Sequence, residues 1–222
     1  MNLRILAFTD IHGNAKNLEK LLTTEKEGID IIVFCGDAAP YHSPSSIEYL
    51  FQALSAIALP SVVVPGNMDS PKAYEHPPTN VKVIHGGFYV HKGYAFIGIG
   101  GSPPTPFGTY FELSEDDILK LLEEAWMKAI KFGPIIVVSH APPYQTACDK
   151  TFTGMHVGSK SLRKFIEDKI PILCICGHIH ESRAIDRVGD TVVVNPGPLR
   201  NGYYAVIEVE DFEVRKVELK KL

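Results

Sequence analysis

The sequence predicts an α/β fold in which two mixed β-sheets pack face to face with helices on their outer sides, a four-layer α/β/β/α sandwich. Three observations predict it. Short β-branched runs alternate with longer amphipathic stretches, the pattern of strands joined by crossover helices in a mostly parallel sheet. Two later stretches, 81–101 and 191–219, read instead as short strands broken by Gly, Asn and Asp turns. Paired with the two ends of the parallel set, they yield two mixed sheets. Finally, 222 residues with 45% hydrophobic content can bury a substantial core, so residues 1–222 are expected to form one domain.

The strand candidates are LRILAFT (3–9), IIVFC (31–35), SVVVP (61–65), IIVVS (135–139) and ILCIC (172–176). Helices are expected at 15–27, at 45–58 behind Ser43-Pro44, at 114–131 and at 159–169. Ser114 with Asp117 three residues on, and Gly158-Ser159, supply the start signals of the last two. No repeat, low-complexity tract or linker divides the chain. Two long irregular stretches, 100–113 and 140–158, are candidate rims of a site, since long loops in compact domains are usually functional or disordered.

Charge and cysteine usage exclude several classes. The formal net charge of −4 leaves no basic field to hold a nucleic-acid backbone, so no obligate nucleic-acid partner is expected. The apolar run in MNLRILAFTDIHGN is too short for a signal sequence or a membrane span, and Asp10 ends it, so a cytoplasmic protein without a membrane partner is expected. Cys35, Cys148, Cys174 and Cys176 form no CxxC pair. Three of them lie in or beside strand-like runs as small hydrophobes, which indicates neither a disulfide framework nor a thiolate zinc site.

The stretch CGHIHES, 176–182, places His178 and His180 at a strand's period of two, so both rings can turn to one face. Every buried-strand candidate is likewise followed at once by a polar donor: Asp10 and His12, then Asp37, Asn67 and His140, then the 178/180 pair. Ligands of α/β sheets bind outside the carboxyl ends of strands, where seven oxygen or nitrogen donors would converge. Singly, each has a plain structural explanation: a helix cap for Asp10, turn stabilisation for Asp37 and Asn67, a hydrogen-bonded core edge for His140. Together, imidazole, carboxylate and amide donors without thiolate suit manganese, iron, zinc, cobalt or nickel, and seven are too many for one tetrahedral ion. Two ions sharing a carboxylate is the natural arrangement.

The ordered series D-x-H, G-D, G-N-x-D, H and G-H-x-H, spanning Asp10 to His180, resembles the calcineurin-like metallophosphoesterase superfamily, in particular its small single-domain prokaryotic members. Those often carry an N-P-G turn, as in NPGP at 195–198. The resemblance implies that Asp10, His12 and His180 hold one divalent ion, that Asn67, His140 and His178 hold the other, and that Asp37 bridges them. It implies manganese first among the candidate ions, and phosphate-ester hydrolysis by a hydroxide held between the two. The third block departs from the family, which usually has a histidine where this chain has Met68, a residue that cannot donate a proton. His156, with His42 and Tyr144 behind it, is the substitute acid the sequence offers, so the expected catalytic set is Asp37, His140 and His156. Asp69 is a candidate to hold the ligands in register. The amides of 156–161 open a helix and could receive an acid group, while Arg200 reads most simply as a solvated surface arginine.

The expected function is therefore hydrolysis of a small phosphodiester, a phosphorylated metabolite or nucleotide. A phosphomonoesterase and an inactive scaffold of the same fold are the alternatives, and a nuclease is weakened by the acidic charge. Phe107, Tyr110 and Phe111 could close the pocket or join copies of the chain in a homo-oligomer.

Overall fold

The computed structural model describes residues 2–222. Among the described residues, twelve strands and four α-helices follow one another. The first half holds β1 (Asn2–Phe8), α1 (Ala15–Thr24), β2 (Ile31–Phe34), α2 (Glu48–Ile57), β3 (Ser61–Val63), β4 (Val81–Val83), β5 (Phe88–His91) and β6 (Tyr94–Ile99). The second half holds α3 (Glu115–Ala129), β7 (Ile135–Ser139), α4 (Lys160–Lys169), β8 (Leu173–Ile175), β9 (Ala184–Val188), β10 (Thr191–Asn195), β11 (Tyr203–Glu210) and β12 (Glu213–Lys221).

The strands form two six-stranded mixed sheets, ordered β12-β11-β1-β2-β3-β4 and β5-β6-β7-β8-β10-β9. Alternation along the strands sorts the apolar residues into three cores. Leu3, Ile5, Ile31, Val33 and Val62 of the first sheet meet Phe96, Ile136, Val138, Leu173 and Val194 of the second. The opposite face of the first sheet, with Leu6, Phe8, Ile32 and Phe34, is covered by Leu18 and Leu21 of α1 and Leu50 and Leu54 of α2. The outer face of the second, with Ile97, Val137, Cys174 and Val193, is covered by Leu122 of α3 and by Leu162 and Phe165 of α4. The layers are helix, sheet, sheet and helix.

The later stretches were expected to be antiparallel, and that holds for part of their pairing, including both sides of β11. β5 and β6 form a hairpin through Lys92-Gly93, both at positive φ as a tight two-residue turn requires, and β11 and β12 form another. Yet β4 runs parallel to β3, β6 parallel to β7 and β10 parallel to β8. A turn motif reports one edge of a strand, while the other edge is filled by a partner remote in sequence. Strand β9 carries no strand signal in the sequence, because it is a sheet edge whose Ile185 and Arg187 are exposed while Ala184 and Asp186 are half-buried and only Val188 is buried. The second helix starts at Glu48, after Ile47 and without a side-chain cap, rather than behind Ser43-Pro44. All four cysteines are buried free thiols. Among the described residues, no helix is long and apolar enough to cross a membrane.

Candidate metal centre

The carboxyl ends of β1 and β2 in one sheet, and of β7 and β8 in the other, open into turns that bond one another. Asp10 N donates to Gly36 O at 2.9 Å, and Ile11 N and His12 N donate to Asp37 O at 2.9 and 3.0 Å. Across the sheets, Gly177 N donates to His140 O at 2.9 Å and His178 N to Asp10 Oδ2 at 3.1 Å. The approach is so close that a Cβ on Gly177 would lie 2.0 Å from Thr9 Oγ1. Asp10, His12, Asp37 and His178 all have left-handed backbone, with φ of 53°, 46°, 60° and 68°. Such conformations in non-glycine residues persist only where surrounding bonds over-determine them, and they concentrate at functional sites.

These turns bring the predicted donors together. His180 Nε2 lies 3.2 Å from Asp10 Oδ1 and 3.1 Å from His12 Nε2. Asp10, His12 and His180 form one group that could hold an ion, and Asp10, Asp37 and His140 form a second. Asp37 Oδ2 stands between them, 3.7 Å from His12 Nε2 and 3.6 Å from His140 Nε2. Asn67 Oδ1 joins the second group 2.8 Å from His140 Nε2. The His178 ring meets His140 edge-on at 5.0 Å, outside both carboxylate groups.

The chemistry of this donor set fits cations. Burial drives three of the four imidazoles neutral, with His12 lowered to about 4, His178 to about 3 and His140 lowered against the opposing charge of Asp10, whereas at His180 burial is outweighed by the hydrogen bond and charge of Asp10 and the ring is raised. Burial also resists ionisation of Asp10, but the His180 hydrogen bond and charge prevail and hold its carboxyl well below the usual range. Asp37 is pushed far up by burial and by the charges of Asp69 and Asp10. Among the described residues no lysine or arginine pairs with any of these three carboxylates. The hydrogen-bond roles agree. His140 Nδ1 lies 2.7 Å from Cys35 O, which only accepts, so the ring proton sits there and Nε2 is bare. That bare nitrogen faces Asn67 Oδ1, another acceptor, a juxtaposition a cation relieves.

Residues that sequence reasoning missed set this geometry. Asn67 Nδ2 donates to Thr109 Oγ1 at 2.9 Å, and the Thr109 hydroxyl donates to Glu112 Oε1 at 2.7 Å. Thr109 can therefore only accept from Asn67, which turns Oδ1 toward His140. Asp69, the candidate to hold the ligands in register, is fully buried and accepts from five groups. Asp37 N, Ala38 N, Gly66 N and Tyr74 OH donate to Oδ2 at 2.9, 3.3, 2.8 and 2.7 Å, and Ala39 N donates to Oδ1 at 2.8 Å. It ties the Asp37 turn to the Asn67 turn. No local signal marks Thr109, Glu112 or Tyr74 for these tasks.

His156 lies outside both groups. Its Nδ1 is 2.6 Å from Oδ1 of buried Asp149, which also accepts from Gln145 N, Thr146 N and Gly158 N. The loop carrying the pair is fastened to the 177–182 turn: Asn195 Nδ2 bonds both Cys148 O and Ile179 O, Glu181 accepts from Phe152 N, and Ser182 Oγ donates to Lys150 O. Tyr144 sets its ring edge toward His156, while His42 is exposed with no part in the cluster. Phe111 packs on His85, whereas Phe107 and Tyr110 are exposed.

The family model described as metallophosphoesterase, calcineurin superfamily, matches residues 41–222, a span that begins after Asp10, His12 and Asp37. An uncharacterized protein of Methanocaldococcus jannaschii, MJ1162, is 38% identical over 202 residues, covering 88% of each chain. Among solved structures, TT1561 of Thermus thermophilus is similar with a TM-score of 0.78 at 24% identity, over 100% of this chain and 99% of that one. A dimetal phosphatase from Danio rerio is similar with a TM-score of 0.70 at 12% identity, over 99% and 95%. At those identities the two structures speak for the fold, and the family match and the archaeal relative speak for descent: the chain belongs to the calcineurin superfamily of metallophosphoesterases.

Proposed function

We propose that this chain is a two-metal phosphodiesterase acting on a small phosphorylated metabolite or nucleotide, with manganese the first choice of ion. The observation that carries the reading is Asp37 Oδ2, which stands between His12 Nε2 at 3.7 Å and His140 Nε2 at 3.6 Å, where it could serve both donor groups. Asp10, His12 and His180 would hold one ion, and Asn67, His140 and His178 the other. When bound, two such ions would supply Lewis acidity that lowers the pKa of water and offsets the charge of a phosphoryl group. The four buried free thiols accord with a reducing, cytoplasmic setting.

The chain's own residues supply orientation and protons. Met68 N donates to Asp37 Oδ1 at 2.8 Å, leaving Oδ2 for the shared position. Asp69 and Thr109 hold the two turns and the Asn67 amide. The Met68 side chain offers no proton, and His156 takes that role: Asp149 holds its Nδ1, which leaves Nε2 as the ring nitrogen for a leaving oxygen. A phosphodiester or activated ester makes the least demand on such an acid, which favours diesters over simple alkyl phosphates.

The test compares bis(p-nitrophenyl) phosphate with p-nitrophenyl phosphate on one manganese-loaded preparation, beside an EDTA-treated sample. Metal-dependent preference for the diester is expected. Preference for the monoester would establish a phosphatase instead, and inactivity on both would shift the reading to a scaffold.

A further inference from the structure

We propose that Arg200 and Tyr41 form an anion subsite at the mouth of the metal centre, receiving a second anionic group, carboxylate or phosphate, that the substrate carries beside its reacting phosphoryl group. The inference rests on the phosphoesterase reading above and names the substrate class more narrowly.

The backbone of Arg200 is mounted directly on the strand end that bears Asp10. Arg200 N donates to Asp10 O at 3.1 Å, and Leu199 N donates to Thr9 O at 2.8 Å. From the start of α1, Asn14 Nδ2 and Asn17 Nδ2 each donate to Arg200 O at 3.1 Å. A turn held from both sides in this way fixes where the side chain leaves the surface.

The side chain is exposed yet ordered. Its guanidinium lies over the Tyr41 ring, 5.5 Å from the centroid, and Nη1 donates to the Tyr41 hydroxyl. Tyr41 in turn stacks on His12, with centroids 4.3 Å apart and planes 13° from parallel. Tyr41 thus joins His12 to Arg200, which suits the guanidinium to a group a few bonds from the phosphoryl group held at the donors.

The charge itself is uncompensated. Arg4, Lys92, Arg163, Arg215 and Lys220 each have a carboxylate partner, whereas among the described residues Arg200 has none. A fixed, planar, unpaired guanidinium beside a metal site is equipped to take an anionic oxyacid through two parallel hydrogen bonds.

The experiment titrates methylphosphonate and phosphonoacetate into the manganese-loaded full chain by calorimetry; the second ligand adds a carboxylate to the same phosphonate. Arg200→Met should weaken phosphonoacetate about tenfold while moving methylphosphonate less than about twofold, with Arg200→Lys in between. Retained methylphosphonate binding also shows that the variant is folded. Equal losses for both ligands would place Arg200 on the phosphoryl group itself, and no loss for either would make it a solvated surface residue; either overturns the subsite alone. Wild type that binds neither phosphonate would instead overturn the phosphoesterase reading, and the subsite with it.

Discussion

Asn67 and Thr109, 42 residues apart, are joined side chain to side chain, the Asn67 amide donating to Thr109 Oγ1 at 2.9 Å. Because Glu112 already takes the threonine proton, the bond has one direction, and it presents Asn67 Oδ1 to His140. Partners of this kind typically change metal affinity by about 10- to 100-fold when lost. Thr109→Val should therefore weaken the second manganese ion by at least about tenfold, with Thr109→Ser near wild type, as read by calorimetric titration of the metal-stripped protein. Equal affinity in the valine variant would contradict the orienting role.

Asp37 stands between the two donor groups, so its removal should affect both ions rather than one. Asp37→Asn is expected to retain well under two manganese ions per chain by elemental analysis and to lose diester hydrolysis. Unchanged hydrolysis would rule out a shared carboxylate.

Asp69 tests the scaffold of the site. Asp69→Ala leaves four backbone amides and the Tyr74 hydroxyl without their acceptor in a buried place. Stranding buried donors costs about 1–3 kcal/mol for each group left fully unsatisfied, so urea denaturation should show a loss of at least about 3 kcal/mol. A loss below about 1 kcal/mol would mean that the turns hold without it.

Glu112 makes acid stability a readout of the rim loop. Burial raises its carboxyl, but hydrogen bonds from Thr105 and Thr109 outweigh that and hold it down at about 2, against an ordinary 4.5. A depressed folded-state value means the stabilisation is fully present above the unfolded value and is lost as pH falls through the folded one. In EDTA, wild type should thus lose melting temperature between about pH 5 and pH 2, and the advantage over Glu112→Gln should shrink across that window. Parallel melting curves at all pH values would discount the interaction.

The layered fold and the gathering of polar residues at the strand ends were legible because both follow from local pattern. Alternation sorts residues such as Ile5 and Leu6 to opposite faces of β1, and a donor after each buried strand needs only the rule that sites form at strand ends. The parallel edges of β4, β6 and β10 were not legible, since a hairpin turn specifies one neighbour and hydrophobic burial does not name the other. What only the tertiary structure decided is how the donors are held. Thr109 meets Asn67 across 42 residues, Asp69 reaches Asp37 across 32, and Arg200 lies on Tyr41 across 159. A threonine, an aspartate or an arginine has the same local preferences wherever it stands; its direction of hydrogen bonding and its unpaired charge exist only once remote segments have closed around it.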